Sequence, residues 1–217
     1  MTKKAAFFDI DGTLLPHTSM DRIFYLYLLK KGVLGIEGLW NTFTFAVKNL
    51  SKGKECIVKK NKAYLKGKSV SELQKHALRC FQEEIFPIIP EKVRKLLLDH
   101  REKGDKIIFL SAALQSLVDA WTFELEGDCG IGTHIEVIDD LYTGNIIGIH
   151  PYGEGKVSYI EQLAEEWKLD LHTSFGYGEH YSDRFFLEKV GHPVALHPDK
   201  KLFAFAKEHG WAIITKL

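Results

Sequence analysis

Two carboxylates stand two positions apart in Phe7-Phe8-Asp9-Ile10-Asp11-Gly12-Thr13-Leu14. The residues before them, Ala5, Ala6, Phe7 and Phe8, form an unbroken apolar run, as expected of a strand covered on both faces. Side chains alternate along a strand, so Asp9 and Asp11 point to the same side at its carboxyl end. Two negative charges in one apolar-walled crevice are costly unless a cation neutralises them or one keeps its proton. The spacing therefore implies a hard divalent ion held by carboxylate and carbonyl oxygens. Gly12 permits a tight turn directly afterwards. Asp-Gly is also an ordinary turn dipeptide, and it is the buried strand in front of it that gives the pair a chemical reading.

The elements that must position this pair follow from the periodicity. Lys3 to Ile10 reads as a strand. From Ser19 to Cys80 the pattern becomes helical, with apolar blocks at Ile23–Leu29, at Leu39–Ala46, at Val58, Tyr64 and Leu65, and at Leu73–Phe81, punctuated by Gly32, Gly35, Gly53 and Gly67. Beyond Pro87 and Pro90, strands and helices alternate. A helix at 91–103 leads to the strand Lys106–Leu110, and Ser111 opens a helix to about Leu125. A strand at His134–Ile138 and a hairpin around Thr143-Gly144-Asn145 come next. Helices at 157–167, 182–190 and 200–209 separate strands at 172–177, 193–196 and 211–215. Alternation of this kind predicts an α/β fold, a mostly parallel sheet with helices on both faces. The core domain comprises residues 1–15 and 86–217, and residues 16–85 form an inserted helical domain. An insertion directly after the first strand lies over that strand's carboxyl end, where ligands bind in open α/β sheets. Its expected role is a lid.

Composition narrows the functional classes. The 217 residues are 45% hydrophobic and 27% charged, with 29 basic and 29 acidic side chains, so no global basic excess marks a nucleic-acid binder. The charge is unevenly placed. Residues 16–90 carry 13 Lys and Arg against 6 Asp and Glu, and the span from Lys48 to Lys68 has eight lysines and one acid. Such a run is a solvated face or a surface that attracts an anion. The longest uncharged stretch, Leu141 to Gly153, is 13 residues, short of the roughly 18 a bilayer span requires, and the apolar run before Asp9 is too short for a signal-peptide core. Cys56, Cys80 and Cys129 are odd in number and widely spaced, which argues against a disulfide framework or a Cys-rich zinc site and for the cytoplasm. The ten histidines form no zinc spacing, and Trp40, Trp121, Trp167 and Trp211 read as packing residues.

The octet around Asp9 resembles the first motif of the haloacid dehalogenase superfamily of phosphohydrolases. Further motifs of that superfamily find counterparts in order: the strand ending in Ser111, Lys156 in Gly153-Glu154-Gly155-Lys156, and the acidic pair in Gly178-Glu179-His180-Tyr181-Ser182-Asp183. The run Leu110-Ser111-Ala112-Ala113-Leu114, residues 132–137 and Tyr142-Thr143-Gly144 are similar to the phosphoserine-phosphatase-like branch, subfamily IB. The resemblance covers nearly the whole chain and is weakest in the inserted segment. It implies a Rossmann-like doubly wound core with an all-helical cap of the C1 type, and a Mg²⁺-dependent phosphatase working through an aspartyl-phosphate. By that resemblance Asp9 is the nucleophile and Asp11 the general acid and base. Ser111, Ala112, Lys156 and Gly12 bind phosphate. Asp9, Asp11, Glu179 and Asp183 form the metal site, Asp11 helping through its backbone carbonyl. Glu179 replaces the usual Asp and is one methylene longer, which makes Mn²⁺ an alternative to Mg²⁺. His17, Thr18 and His180 are candidate substrate contacts.

The resemblance leaves the substrate open. Phosphoserine phosphatases typically carry a carboxylate in the first cap helix and an arginine further on. Here Thr18 stands near the first position, and no Arg occurs between Arg22 and Arg79. The expected substrate is a small phosphorylated metabolite other than phosphoserine. The alternatives are a lipid or membrane-associated phosphate, which Trp40, Phe43, Phe45 and the following lysines would suit as a peripheral contact, and a catalytically silent module binding a phosphorylated ligand.

Overall fold

The computed structural model describes residues 3–53 and 59–215; Cys56 and Val58 lie outside the described residues. Strand β1 (Ala5–Asp9) is buried along its whole length. Ala6 and Phe8 enter one hydrophobic core and Ala5 and Phe7 the other, so β1 must be the middle layer. The chain then runs through α1 (Met20–Lys30), α2 (Ile36–Lys48), α3 (Val70–Cys80) and α4 (Glu91–Glu102) before returning to the sheet. Ser19 and Ser69 start α1 and α3, each side-chain oxygen accepting an amide of the first turn.

The remaining elements are β2 (Lys106–Leu114), α5 (Gln115–Glu124), β3 (Cys129–Ile138), β4 (Leu141–Ile147), α6 (Gly155–Trp167), β5 (Phe175–Gly178), α7 (Arg184–Leu187), β6 (His192–Leu196), α8 (Lys200–Glu208) and β7 (Ala212–Ile214). Among the described residues the sheet has seven strands in the order β4-β3-β2-β1-β5-β6-β7, all neighbours parallel except β3 and β4. The expected α/β fold is present. The chain leaves β1 first toward β2 and later toward β5, so the crevice of the topological switch opens at the ends of these three strands. In register Asp9 pairs with Leu110 and Phe8 with Tyr177. Ser111 and Gly178 therefore flank the end of β1.

Several expected boundaries move. Ser111 does not open a helix; β2 continues to Leu114, and α5 starts at Gln115. The four residues from Ser111 to Leu114 are buried, and after a register shift Leu114 pairs with Thr133, so sheet pairing outweighs local helical pattern. The hairpin turn lies at Asp139-Asp140, both at left-handed φ of 50° and 62°, the conformation of a type I′ turn. Thr143-Gly144-Asn145 lies inside β4. The helix expected over 182–190 is reduced to α7. Trp121 is fully buried, but Trp40 is exposed and is no packing residue.

The inserted segment is tied to the sheet edge by backbone bonds: Gly67 N to Tyr142 O at 2.8 Å, Tyr142 N to Lys68 O at 2.9 Å and Val70 N to Asp140 O at 2.9 Å. No helix among the described residues is long and apolar enough to cross a membrane.

Candidate active site

At the end of β1 the Asp9 carboxylate is buried and held on both oxygens. Thr13 Oγ1 donates to Oδ2 at 2.6 Å and Lys156 Nζ donates to Oδ1 at 2.5 Å. Lys156, in the first turn of α6, is itself buried and donates a second bond to Asp183 Oδ1 at 2.7 Å. The other Asp183 oxygen accepts the amides of Glu179 at 3.3 Å and His180 at 3.0 Å. One ammonium thus bridges the first strand and the loop after β5. Close approach is required at that loop, where a Cβ on Gly178 would stand 2.7 Å from Asp183 Cβ.

The Asp11 carboxylate accepts the Met20 amide at 2.7 Å and the Ser111 hydroxyl at 2.8 Å, and Ser111 Oγ accepts the Ala113 amide at 2.9 Å. The start of α1 and the bulged part of β2 therefore fix Asp11 together. Gly12 has φ of 92°, its N–H donates to Leu15 O at 3.0 Å, and a Cβ there would fall 1.6 Å from Glu179 Oε2. The left-handed backbone favours glycine here, and the Glu179 carboxylate takes the space that a side chain would fill. The Gly12 amide is engaged within the turn, and the Glu179 carboxylate lies over it.

Electrostatics follow the geometry. Burial, then repulsion from Asp183, pushes Asp9 up to about 6 against the pull of Lys156 and Thr13. Burial, then Asp9, Asp183 and Asp199, pushes Glu179 up to about 7. Asp11 is raised by burial, with Lys59 opposing. Burial works against the Lys156 charge, but Asp183 and Asp9 outweigh it and hold the ammonium above its usual range. These are carboxylates short of positive charge.

Among the described residues no three His, Cys, Asp or Glu side chains close into a preformed metal cage. Both oxygens of Asp183 and of Asp11 are already engaged by the protein. The Asp9 oxygens each accept one hydrogen bond as well and keep a second lone pair, and the Glu179 carboxylate over Gly12 and backbone carbonyl oxygen at the turn stand beside them. This small, hard, acidic donor set fits Mg²⁺, which takes one or two carboxylates and keeps several waters.

Residues outside the motifs also enter the site. Lys59 is raised by Asp11 and then Asp9 against its burial, and its ammonium lies 5.7 Å from the centre of the Tyr152 ring. Lys62 is buried and paired with Asp21, whose other oxygen accepts the Leu114 amide at 3.2 Å. His150 bonds Thr133 Oγ1 through Nδ1 at 3.0 Å and is pushed down to about 4 by burial and then Lys62. The sequence signal for Lys59 and Lys62 was the lysine run itself, and nothing in its spacing separates inward from outward members. Of the other expected contacts, the Ala112 carbonyl accepts the Thr133 hydroxyl at 2.8 Å. His180 pairs with Ser182 at 2.8 Å and lies beside the Tyr152 ring. His17 is exposed with φ of 64°, and Thr18 is half-buried on the same loop.

A sheet switch point with a buried Asp–Lys–Asp bridge defines a class, and comparison with known proteins agrees. A family model described as haloacid dehalogenase-like hydrolase matches residues 6–188. The chain belongs to this family and is an enzyme, a hydrolase of its phosphatase kind. It is 30% identical to a histidinol-phosphatase of Neisseria meningitidis over 98% of this chain and 99% of that one. It is 29% identical to phosphoserine phosphatase SerB1 of Mycobacterium tuberculosis over 96% of this chain and 70% of that protein. A Bordetella pertussis protein of unknown function superposes with a TM-score of 0.85 at 25% identity, each chain 99% covered. A substrate-bound phosphoserine phosphatase superposes with a TM-score of 0.67 at 19% identity, over 100% of this chain and 94% of that one, and shares the fold.

Proposed function

We propose that this chain is a Mg²⁺-dependent phosphomonoesterase that passes through an aspartyl-phosphate on Asp9 and acts on a small phosphorylated metabolite other than phosphoserine. The observation that carries the proposal is the burial of Lys156 between Asp9 and Asp183, because a buried ammonium beside a strand-end carboxylate is the charge arrangement phosphoryl transfer needs. Asp9 attacks phosphorus through the oxygen not held by Lys156, and the bond to the ester oxygen breaks. Asp11, raised by burial, gives that oxygen its proton and then takes one from the water that cleaves the acyl phosphate. Lys156 supplies a donor to phosphoryl oxygens, and the Ser111 hydroxyl does so by turning from Asp11 to the phosphate. A bound Mg²⁺ would be held by Asp9, Glu179 and the Asp11 carbonyl and would offset their negative charge.

Residues 16–85 act as the cap in this reading and bring Lys59 toward the reacting carboxylates. The relatives' names support small amine-bearing phosphate esters as the first to try. Thr18 in place of a first-helix carboxylate and the absence of any Arg between Arg22 and Arg79 set phosphoserine apart. The test is a phosphometabolite screen with Mg²⁺, repeated in chelator and with Asp9→Asn. Turnover confined to the wild type with metal supports the proposal, and turnover undiminished in chelator refutes the metal assignment.

A further inference from the structure

We propose that the outer face of α2 docks on an anionic phospholipid bilayer. The helix is apolar in sequence, yet Gly38 is its one buried residue. Ile36, Leu39, Trp40, Phe43 and Val47, continued by Leu50, fall at helical spacing on one side. Ile36 is 87%, Trp40 62% and Phe43 59% exposed, and the Trp40 and Phe43 rings lie 5.9 Å apart. An apolar stripe of this size on a chain of balanced charge calls for a cover.

Charge identifies the cover. One residue round the helix from the stripe, Asn41, Phe45 and Lys48 line a groove of about 560 Å³ that Lys60 and Lys66 close from the other side. All three lysines are exposed. The whole chain is neutral, but residues 16–90 hold 13 basic against 6 acidic side chains, so the basic excess lies in the segment that carries this helix. A second copy would bring two positive faces together in a two-fold contact. Nucleic acid would leave the stripe uncovered. An anionic bilayer meets both halves, lipid chains taking Trp40 and Phe43 and headgroups taking Lys48, Lys60 and Lys66. Docking here leaves the substrate of the site undetermined and does not depend on it.

The experiment is co-sedimentation with vesicles of phosphatidylcholine alone and of phosphatidylcholine mixed equally with phosphatidylglycerol, at low and high salt. The chain is expected to sediment with the mixed vesicles at low salt and to remain in solution with the neutral ones. Trp40→Ser with Phe43→Ser should lower binding about ten-fold or more, and each reversal among Lys48→Glu, Lys60→Glu and Lys66→Glu by roughly five-fold, with thermal unfolding unchanged. Absence of sedimentation with the mixed vesicles at low salt overturns the proposal. So does binding that the Trp40, Phe43 variant retains, or a lipid-free dimer that this variant dissolves.

Discussion

The sheet-end site and the outer face of α2 solve the problem of uncomfortable side chains in opposite ways. At the end of β1, charges are buried and nearly every oxygen has a named partner, so Asp9, Lys156 and Asp183 have one arrangement available. On α2, large apolar side chains face outward, while Gly38 and the Thr42 carbonyl, which accepts Asn61 Nδ2 at 3.1 Å, meet the rest of the chain. The first region is over-determined by the fold; the second is determined by something outside it. Chemistry that depends on fixed distances belongs to the first, and association belongs to the second.

The largest effect should come from breaking the site at its centre. Asp9→Asn is expected to abolish turnover, and Asp11→Asn to lower kcat by about 10²–10⁴-fold, both measured on a soluble aryl phosphate. An Asp9→Asn enzyme that keeps wild-type activity would remove the site's claim to the chemistry. Next in size, Lys156→Met leaves Asp9 and Asp183 uncompensated and should cost about 3–5 kcal/mol in denaturant unfolding. Trp121→Ala, in the core, should cost a similar ~3–5 kcal/mol. Trp40→Ser should stay within about 0.5 kcal/mol of wild type; a large loss there would show that α2 is covered within the chain after all.

A smaller effect concerns pH. Asp9 and Glu179 sit at about 6 and about 7, above the ordinary carboxylate value. Each therefore contributes stability that is fully present below its unfolded value and is lost as pH rises through its folded one. The metal-free protein should become less stable from pH 5 to pH 8 in thermal unfolding, and Glu179→Gln should flatten that slope and raise the melting temperature at pH 8. Mg²⁺ should stabilise the wild type at pH 8 and do little for the variant. A wild type that gains stability over the same range would contradict the repulsion inferred here.

Much of this was legible in the sequence. The Asp9-x-Asp11 pair after a buried apolar run, Lys156 at a helix start and Asp183 after a strand all lie where their motifs placed them. What escaped was set by tertiary contacts. Ser111 reads as a helix start, yet pairing with β3 draws β2 on to Leu114. The hairpin turn went to Asp139-Asp140 because both accept left-handed backbone there, while Gly144 was needed inside β4 against Ala63, whose Cα would lie 3.2 Å from a Cβ. Lys59 and Lys62 point inward from a run whose composition suggested solvent. Trp40 has the composition of a core residue and the position of a contact residue, a distinction that periodicity alone does not carry.

Acid quenching during turnover, followed by mapping of hydroxylamine-sensitive phosphoryl groups by mass spectrometry, tests the covalent step at its source. The account predicts one phosphoryl group, on Asp9, absent from Asp9→Asn. Phosphate on another residue, or none trapped while turnover proceeds at full rate and Asp9→Asn stays active, would contradict it.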